Sequence, residues 1–379
     1  MNKVIFPFII IISIFSACTD QVAIQEKGFH IEATLEGFED STLFYLKNLS
    51  NEEIIDSVYI KGSKVEFNGE LADVPEMLWL YTNANGEFSY MTLLIGNERV
   101  SVNSSKDEMP WKMEANGSKT LSEALAWRDV TRAFDIKRDS LVNVYFGLEP
   151  EEQAERAGEI WGEIGLIDDS VETLKFTYLL DNVNSHSSLI ELGYLKDDLS
   201  KDTVQMIFEK VSPELRSSKY GRVIEVYLAE KISAVGDQYH DFEASNEDGD
   251  TVLFSNMMDE GYILLDFTAA YCGPCVQSVG ELAGIHQNND SVTVVSFSGD
   301  AKKETWLYSL KRDSTTWASL WDGKGRYSET SIKYGVQGYP TFVLINPEGE
   351  IIDKWFGYGE GLIEQRLTKI QSKTDQEVG

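Results

Sequence analysis

One stretch, residues 261–289, combines a buried strand, a tight turn and a helix, and it constrains the fold more than any other feature. Residues 262–267 are almost entirely apolar and rich in β-forming side chains, which is typical of a strand buried on both faces. From Val276 to Ile285, apolar residues recur at helical spacing. The chain therefore turns from strand to helix across residues 269–275, and this turn contains two thiols.

The two thiols form a C-x-x-C motif, Cys272-Gly273-Pro274-Cys275, at the predicted start of the helix. Unpaired N–H groups and the helix dipole favour an anion there, so Cys272 is predicted to be the thiolate. Pro274 has no N–H to lose in a first helical turn, and Gly273 lets the backbone of another chain approach. Cys275, one turn further in, can then close a disulfide.

A carboxylate, Asp266, interrupts the apolar strand that precedes the motif. A carboxylate inside a hydrophobic strand has a raised pKa and can exchange protons near neutral pH. Perturbed carboxylates next to nucleophiles cluster at active sites, so Asp266 is predicted to take part in the chemistry. The alternative is a structural aspartate that caps or bonds a nearby backbone group.

Asp266-Phe267, Ala269 and the Cys-Gly-Pro-Cys motif together resemble the active site of thioredoxin. The longer carboxy-terminal region resembles the membrane-associated periplasmic thiol-disulfide oxidoreductases of the same family. The resemblance implies that Cys272 attacks a substrate disulfide and that Cys275 resolves the mixed disulfide. It also implies that Asp266 accepts the proton of Cys275.

The sequence departs from the thioredoxin pattern at three places. Tyr271 stands where a tryptophan is usual and Val276 where a lysine is common, and neither change removes a reacting group. No lysine occurs in the predicted strand 292–297, where thioredoxin supplies a partner to its buried aspartate. The sequence therefore leaves open the route by which the proton of Asp266 reaches water.

A second predicted loop and strand follow within residues 334–352, and Pro340 opens the strand at a position where proline is tolerated. The resemblance implies a cis Tyr339–Pro340 bond packed against the C-x-x-C motif. It further implies that the Tyr339 backbone pairs with an extended substrate chain by strand addition. An ordinary trans proline is the structural alternative.

Between the predicted strand over residues 292–297 and Pro340, the run from Trp306 to Tyr327 predicts an extra helical segment. This segment is similar to an insertion in the membrane-anchored relatives.

Residues 1–18 have the features of an export signal. Lys3 precedes an apolar run over residues 4–15, which fits the roughly 7–15 residues of a signal h-region. The run ends in Phe15-Ser16-Ala17-Cys18, which resembles a bacterial lipoprotein box, and we predict lipidation of Cys18. Simple cleavage and a retained anchor are the alternatives. The predicted location is the cell envelope of a Gram-negative bacterium, with the protein facing the periplasm from the inner or outer membrane.

Charge and cysteine content limit the partners. The chain of 379 residues has a formal charge of −30 and no basic cluster, so nucleic acid is a poor partner. The chain has three cysteines, and lipidation of Cys18 would leave Cys272 and Cys275 as one redox pair. The four histidines lack metal-ligand spacing, so zinc is a weak alternative. No metal and no cofactor beyond the dithiol is predicted.

The chain divides into four predicted regions: a signal over residues 1–18, a β-sandwich over 27–118, a helical domain over 119–233 and a thioredoxin-like α/β domain over 234–373. Alternating apolar runs between turn signals such as Asn85-Gly86 predict an antiparallel β-sandwich. It resembles an N-terminal domain of unknown function found on exported thioredoxin-like lipoproteins. In the second domain the apolar period becomes helical, and the stripes are interpreted as core.

These features predict a thiol-disulfide oxidoreductase that reduces or isomerises disulfides of exported proteins, with electrons from a thiol donor on the membrane side. The Gly-Pro pair between the cysteines lacks the histidine found there in strong oxidants. We therefore expect a reduction potential closer to that of thioredoxin, about −270 mV, than to that of strong oxidants, about −120 mV. One alternative is a surface or binding lipoprotein that uses the thioredoxin-like domain as a scaffold. Another is a peroxiredoxin-type peroxidase, but its Pro-x-x-x-Thr-x-x-Cys arrangement is not matched, since Ala269 stands three residues before Cys272.

Overall fold

The structure is a computed structural model that describes residues 28–72, 74–229, 231–258 and 260–369. Its first region is built from strands in two four-stranded sheets, ordered β4-β1-β7-β8 and β3-β2-β5-β6. The strands are β1 (Phe29–Glu36), β2 (Leu43–Asn48), β3 (Ile54–Tyr59), β4 (Lys64–Gly69), β5 (Glu76–Thr82), β6 (Ser89–Ile95), β7 (Arg99–Ser105) and β8 (Glu114–Asn116). The predicted signal and lipidation site at Cys18 lie outside the described residues.

The two sheets pack face to face around one apolar core, to which Phe67 of β4 and Leu80 of β5 both contribute. The predicted sandwich is therefore confirmed, with one departure from the antiparallel arrangement. β1 pairs with β7 in parallel, with Ile31 opposite Val100. Alternation of apolar and polar residues is the same in both kinds of pair, so the sequence pattern does not distinguish them.

The middle region is helical, as predicted. Its helices are α1 (Lys119–Phe146), α2 (Pro150–Asp181), α3 (His186–Leu195), α4 (Lys201–Phe208), α5 (Pro213–Arg216) and α6 (Lys219–Ala229). α1 and α2 pack along each other, whereas α3, α4 and α6 surround a second apolar core. The Ser118 hydroxyl caps α1 by accepting a hydrogen bond from Leu121 N at 3.0 Å. Within the described part of the chain, no helix combines the length and the apolar composition that crossing a membrane requires.

The carboxy-terminal region contains a seven-stranded sheet ordered β10-β9-β13-β12-β11-β14-β15. Its elements are β9 (Glu243–Ser245), β10 (Thr251–Leu253), β11 (Tyr262–Thr268), α7 (Gly273–Asn288), β12 (Val292–Ser298), α8 (Lys303–Asp313), β13 (Ala318–Trp321), α9 (Glu329–Lys333), β14 (Thr341–Ile345) and β15 (Ile351–Phe356). The central strands β11, β12 and β13 are parallel, and β14 runs antiparallel to β11. The order of strands and helices gives an α/β fold, as predicted.

The segment predicted as an extra helical insertion is helical only in part. α8 occupies its first half, but Ala318–Trp321 form β13, which extends the sheet beside β12. Leu320 in this strand is fully buried. Four residues are too few to establish a period of two, and Trp317 and Trp321, four residues apart, fit a helical pattern equally well. The helical prediction is therefore wrong for this strand.

The three regions contact one another through buried polar and aromatic groups. Lys219 Nζ of α6 lies 2.5 Å from Glu76 Oε1 of β5, which joins the helical region to the sandwich. The Tyr220 hydroxyl donates to the carbonyl of Pro75 at 3.1 Å. The ring of Tyr220 also lies 6.0 Å from the ring of Tyr327 in the carboxy-terminal region. The helical region therefore contacts both the sandwich and the carboxy-terminal region.

Candidate active site

The two cysteines of the C-x-x-C motif form a disulfide at the start of α7, with an S–S distance of 2.06 Å. Cys272 is the residue before the first helical turn, and its Sγ accepts a hydrogen bond from Cys275 N at 3.2 Å. Cys272 is partly exposed, whereas Cys275 is 4% exposed. An incoming sulfur can therefore reach Cys272 more easily than Cys275, and Gly273 beside it is exposed.

Asp266 lies in the middle of β11, and only 3% of it is exposed. Burial raises the pKa of Asp266 to about 7, because an ionised carboxylate loses its hydration inside the fold. A hydrogen bond that the Ser296 hydroxyl donates to Oδ2 at 3.0 Å acts in the opposite direction, since it favours the charged form. Among the described residues, Asp266 Oδ1 has no hydrogen-bond partner.

Ser296 and Trp317 form the polar surroundings of this carboxylate. Ser296 stands opposite Asp266 in the parallel register of β11 and β12. Its hydroxyl oxygen accepts a hydrogen bond from Trp317 Nε1 at 2.9 Å, and its O–H group donates the hydrogen bond to Asp266. The strand in which thioredoxin supplies a lysine thus supplies a neutral hydroxyl here, and this hydroxyl is buried.

Asp266 and Cys275 line the same small cavity, which has a volume of about 20 Å³. Ser296, Trp306 and Trp317 also contribute to its walls. A polar cavity of this size has room for about one water molecule. The buried cysteine and the buried aspartate therefore border a common space.

A pair of charged side chains holds the turn that leads into the motif. The carboxylate of Asp300 accepts a hydrogen bond from Ala270 N at 3.1 Å, and Arg312 Nη1 donates to the carbonyl oxygen of Ala270 at 2.5 Å. Asp300 also accepts from the Ser298 hydroxyl at 2.8 Å. Burial raises the pKa of Asp300, and these hydrogen bonds oppose the increase. Both backbone groups of Ala270, two residues before Cys272, are therefore fixed.

The Tyr339–Pro340 bond is cis, as the resemblance implies. Thr341, the next residue, stands opposite Phe267 in the antiparallel pair of β14 and β11. Pro340 therefore lies at the end of the strands from which the cysteine turn begins. The Tyr339 side chain packs over Gly299, where an added Cβ would lie 1.8 Å from the tyrosine hydroxyl oxygen. Only glycine fits under this ring.

The structure thus places Asp266, Cys272 and Cys275 around one end of the sheet, with the loop of Tyr339 and Pro340 at the same end. Their chemical roles remain predictions. Sequence reasoning missed Ser296, Asp300, Arg312 and Gly299. Ser296 could have been found by aligning the two buried strands in parallel, whereas the other three depend on loop geometry that no sequence period reports.

Two regions of the chain match known protein families. Residues 260–351 match the thioredoxin-like family, and residues 29–123 match a domain of unknown function, DUF4369. The chain therefore contains a thioredoxin-like domain, preceded by a domain whose function is not known. This confirms the resemblance described from the sequence.

Several proteins are similar to the chain over part of its length. Thioredoxin H-type 2 of Nicotiana tabacum is 28% identical over 147 residues, which are 39% of this chain and 98% of that protein. A solved thiol-disulfide oxidoreductase from Bacteroides fragilis is 28% identical and covers 35% of this chain and 99% of that chain, with a TM-score of 0.33. The thioredoxin domain of a thiol-disulfide oxidoreductase from Bacteroides vulgatus is 22% identical and covers 36% and 97%, with a TM-score of 0.33.

Proposed function

We propose that the protein is a thiol-disulfide oxidoreductase that reduces or isomerises disulfides of exported proteins through Cys272 and Cys275. The observation that supports this most strongly is the arrangement of the cysteine pair. A partly exposed sulfur at a helix N-terminus is bonded to a buried sulfur, and the buried sulfur shares a cavity with a carboxyl group of raised pKa. This arrangement separates an attacking group from a resolving group.

In the first step, the reduced protein attacks with the Cys272 thiolate. Its sulfur bonds to one sulfur of the substrate disulfide, the substrate S–S bond breaks, and the departing thiolate takes a proton from solvent. The positive end of α7 stabilises the thiolate before the attack. The product is a mixed disulfide between Cys272 and the substrate.

In the second step, Cys275 loses its proton to Asp266 and attacks the Cys272 sulfur. The mixed disulfide breaks, and the second substrate sulfur leaves as a thiolate that takes a proton from solvent. The protein is left with the Cys272–Cys275 disulfide. Two electrons have passed from the protein to the substrate. A carboxyl group with a pKa of about 7 suits this transfer, because it can accept and return a proton near neutral pH.

The substrate chain is held by the loop before Pro340. Within the part of the chain that the structure describes, the backbone N–H and C=O groups of Tyr339 have no hydrogen-bond partner. An extended substrate can pair with such groups in the manner of an added strand. Gly273, which is exposed beside Cys272, leaves room for the substrate backbone.

The same proposal includes location and electron supply. With residues 1–18 as an export signal and Cys18 as the lipidated residue, the protein acts in the cell envelope, tethered by lipid to the inner or outer membrane. Each turnover in the reducing direction leaves the protein oxidised, so a thiol donor on the membrane side must return two electrons. No metal or further cofactor is needed for this cycle.

The reduction potential of the cysteine pair tests the proposal and its direction. The chain without residues 1–18 is equilibrated in dithiothreitol or glutathione buffers, and the fraction of oxidised pair is measured by thiol alkylation. We expect a value near that of thioredoxin, about −270 mV. A value above about −200 mV would rule out net reduction and point to oxidation or isomerisation. If the pair forms no disulfide in any buffer, the redox function is refuted and the scaffold alternative takes its place.

A further inference from the structure

We propose that the helical region supplies one wall of the substrate site, and that the cavity between α3 and the Tyr339 loop receives an apolar side chain of a disulfide-bearing polypeptide. This inference rests on the proposed function and adds a substrate class to it. The helical region then contributes to specificity.

The cavity lies where the three regions meet and has a volume of about 490 Å³. This is within the range of ligand-binding pockets, roughly 300–1,000 Å³. Ile190, Gly193 and Tyr194 of α3 form one side, and Val336 and Tyr339 form part of the other. The cavity therefore extends from the predicted substrate loop to a helix outside the thioredoxin-like domain.

A direct contact joins the two walls of the cavity. Arg326 Nη2, from the carboxy-terminal region, donates to the Tyr194 hydroxyl at 2.7 Å. The same guanidinium lies over the Tyr194 ring, 5.3 Å from its centroid. Tyr194 is 53% exposed, so it stands at the mouth of the cavity. The two regions thus present a joint surface to a ligand that enters there.

An extended polypeptide is the ligand that fits both features of this site. The Tyr339 backbone offers one donor and one acceptor that no described residue occupies, which matches the alternating groups of a peptide chain. Successive side chains of such a chain point to opposite sides, so one of them can enter the cavity. Lys196, Asp197, Asp198 and Arg326 also line the cavity, whereas the part of the wall formed by Tyr194, Ile190 and Val336 is aromatic and aliphatic and favours an apolar side chain.

The test fills the cavity without touching the cysteines. An added Cβ at Gly193 meets no atom within 4 Å, so Gly193→Phe projects a ring into open space from α3. The matched control is Gly158→Phe, at an exposed helical glycine of α2 whose added Cβ also meets nothing within 4 Å. Both changes replace a glycine inside a helix with phenylalanine, and they differ in whether the position lines the cavity.

Two disulfides are compared in single-turnover reactions with the reduced full chain. One is an octapeptide with a phenylalanine beside its single cysteine, held as a mixed disulfide with glutathione, and the other is bis(2-hydroxyethyl) disulfide. We expect Gly193→Phe to lower the second-order rate constant for the peptide by about tenfold and to leave that for the small disulfide unchanged. Gly158→Phe should change neither rate. Tyr194→Ala, with exposed Tyr59→Ala as its control, provides a second variant that retains the α3 backbone.

The outcomes separate the two proposals. A lower rate constant for the peptide alone supports the proposal that the helical region forms one wall of the substrate site. Equal losses for both disulfides, or no loss for either, overturn it. If the unaltered chain reacts with neither disulfide, the proposed redox function itself fails.

Discussion

Replacement of Asp266 by asparagine should change how the stability of the thioredoxin-like domain depends on pH. Asparagine has nearly the same shape but cannot ionise. In the folded protein, burial raises the pKa of Asp266 from its ordinary value of 3.8 to about 7. The folded state therefore binds this proton more tightly than the unfolded state. The stabilisation is complete below about pH 3.8 and is lost as the pH rises through about 7.

The size of the effect follows from the two pKa values. At about 1.36 kcal/mol per pH unit, the interval from 3.8 to about 7 corresponds to roughly 4 kcal/mol of unfolding free energy. Between pH 5 and pH 8, the unaltered protein should lose about 2.5 kcal/mol more than the Asp266→Asn variant. The variant should therefore be the more stable protein at pH 8.

The assay is urea-induced unfolding of the oxidised chain at both pH values, read by pulsed hydrogen exchange in peptides that contain β11 and β12. These peptides report on the domain that contains Asp266, independently of the sandwich and the helices. Asp290→Asn, at an exposed position of the same domain, controls for the loss of one negative charge. If the unaltered protein and Asp266→Asn change equally between pH 5 and pH 8, the buried carboxyl does not have a raised pKa.

Three further predictions concern the surroundings of the site. Ser296→Ala removes the hydrogen bond that favours ionised Asp266, so the acid limb of the pH–rate profile should move upward by about one pH unit. Gly299→Ala would place a Cβ 1.8 Å from the Tyr339 hydroxyl oxygen, and the displaced ring should cost about 1–3 kcal/mol in urea unfolding and lower the rate with a peptide disulfide. Lys219→Met leaves a buried glutamate without its cation and should lower the unfolding free energy by about 3–5 kcal/mol, whereas Lys119→Met, at a highly exposed lysine, should change it little.

The sequence predicts most of the regular elements because their patterns are long. α1 and α2 run for 28 and 32 residues, so their apolar stripes repeat many times. The four residues of β13 allow no such repetition, and the strand was mistaken for helix. The parallel pairing of β1 with β7 was missed for a different reason, since it depends on which sheet a strand joins and not on its own pattern.

At the candidate site, the sequence identified the residues that have unusual local chemistry. Cys272 and Cys275 are marked by their spacing, and Asp266 is marked by the apolar strand around it. No sequence feature distinguishes Ser296, because serine is common in strands of every kind. Its role follows only from the register that sets it opposite Asp266. The cavity between α3 and the Tyr339 loop is likewise produced by packing between regions that are distant in sequence.

The most direct test of the central claim is to trap the mixed disulfide. In a Cys275→Ser variant, the resolving sulfur is absent, so the bond between Cys272 and a substrate should persist. The reduced variant is incubated with the glutathione-linked octapeptide and analysed by mass spectrometry after proteolysis. We predict an adduct on Cys272, and none in a Cys272→Ser variant treated in the same way within the same time. If Cys275→Ser forms no adduct, or if Cys272→Ser reacts as fast through Cys275, the assignment of Cys272 as the attacking residue is contradicted.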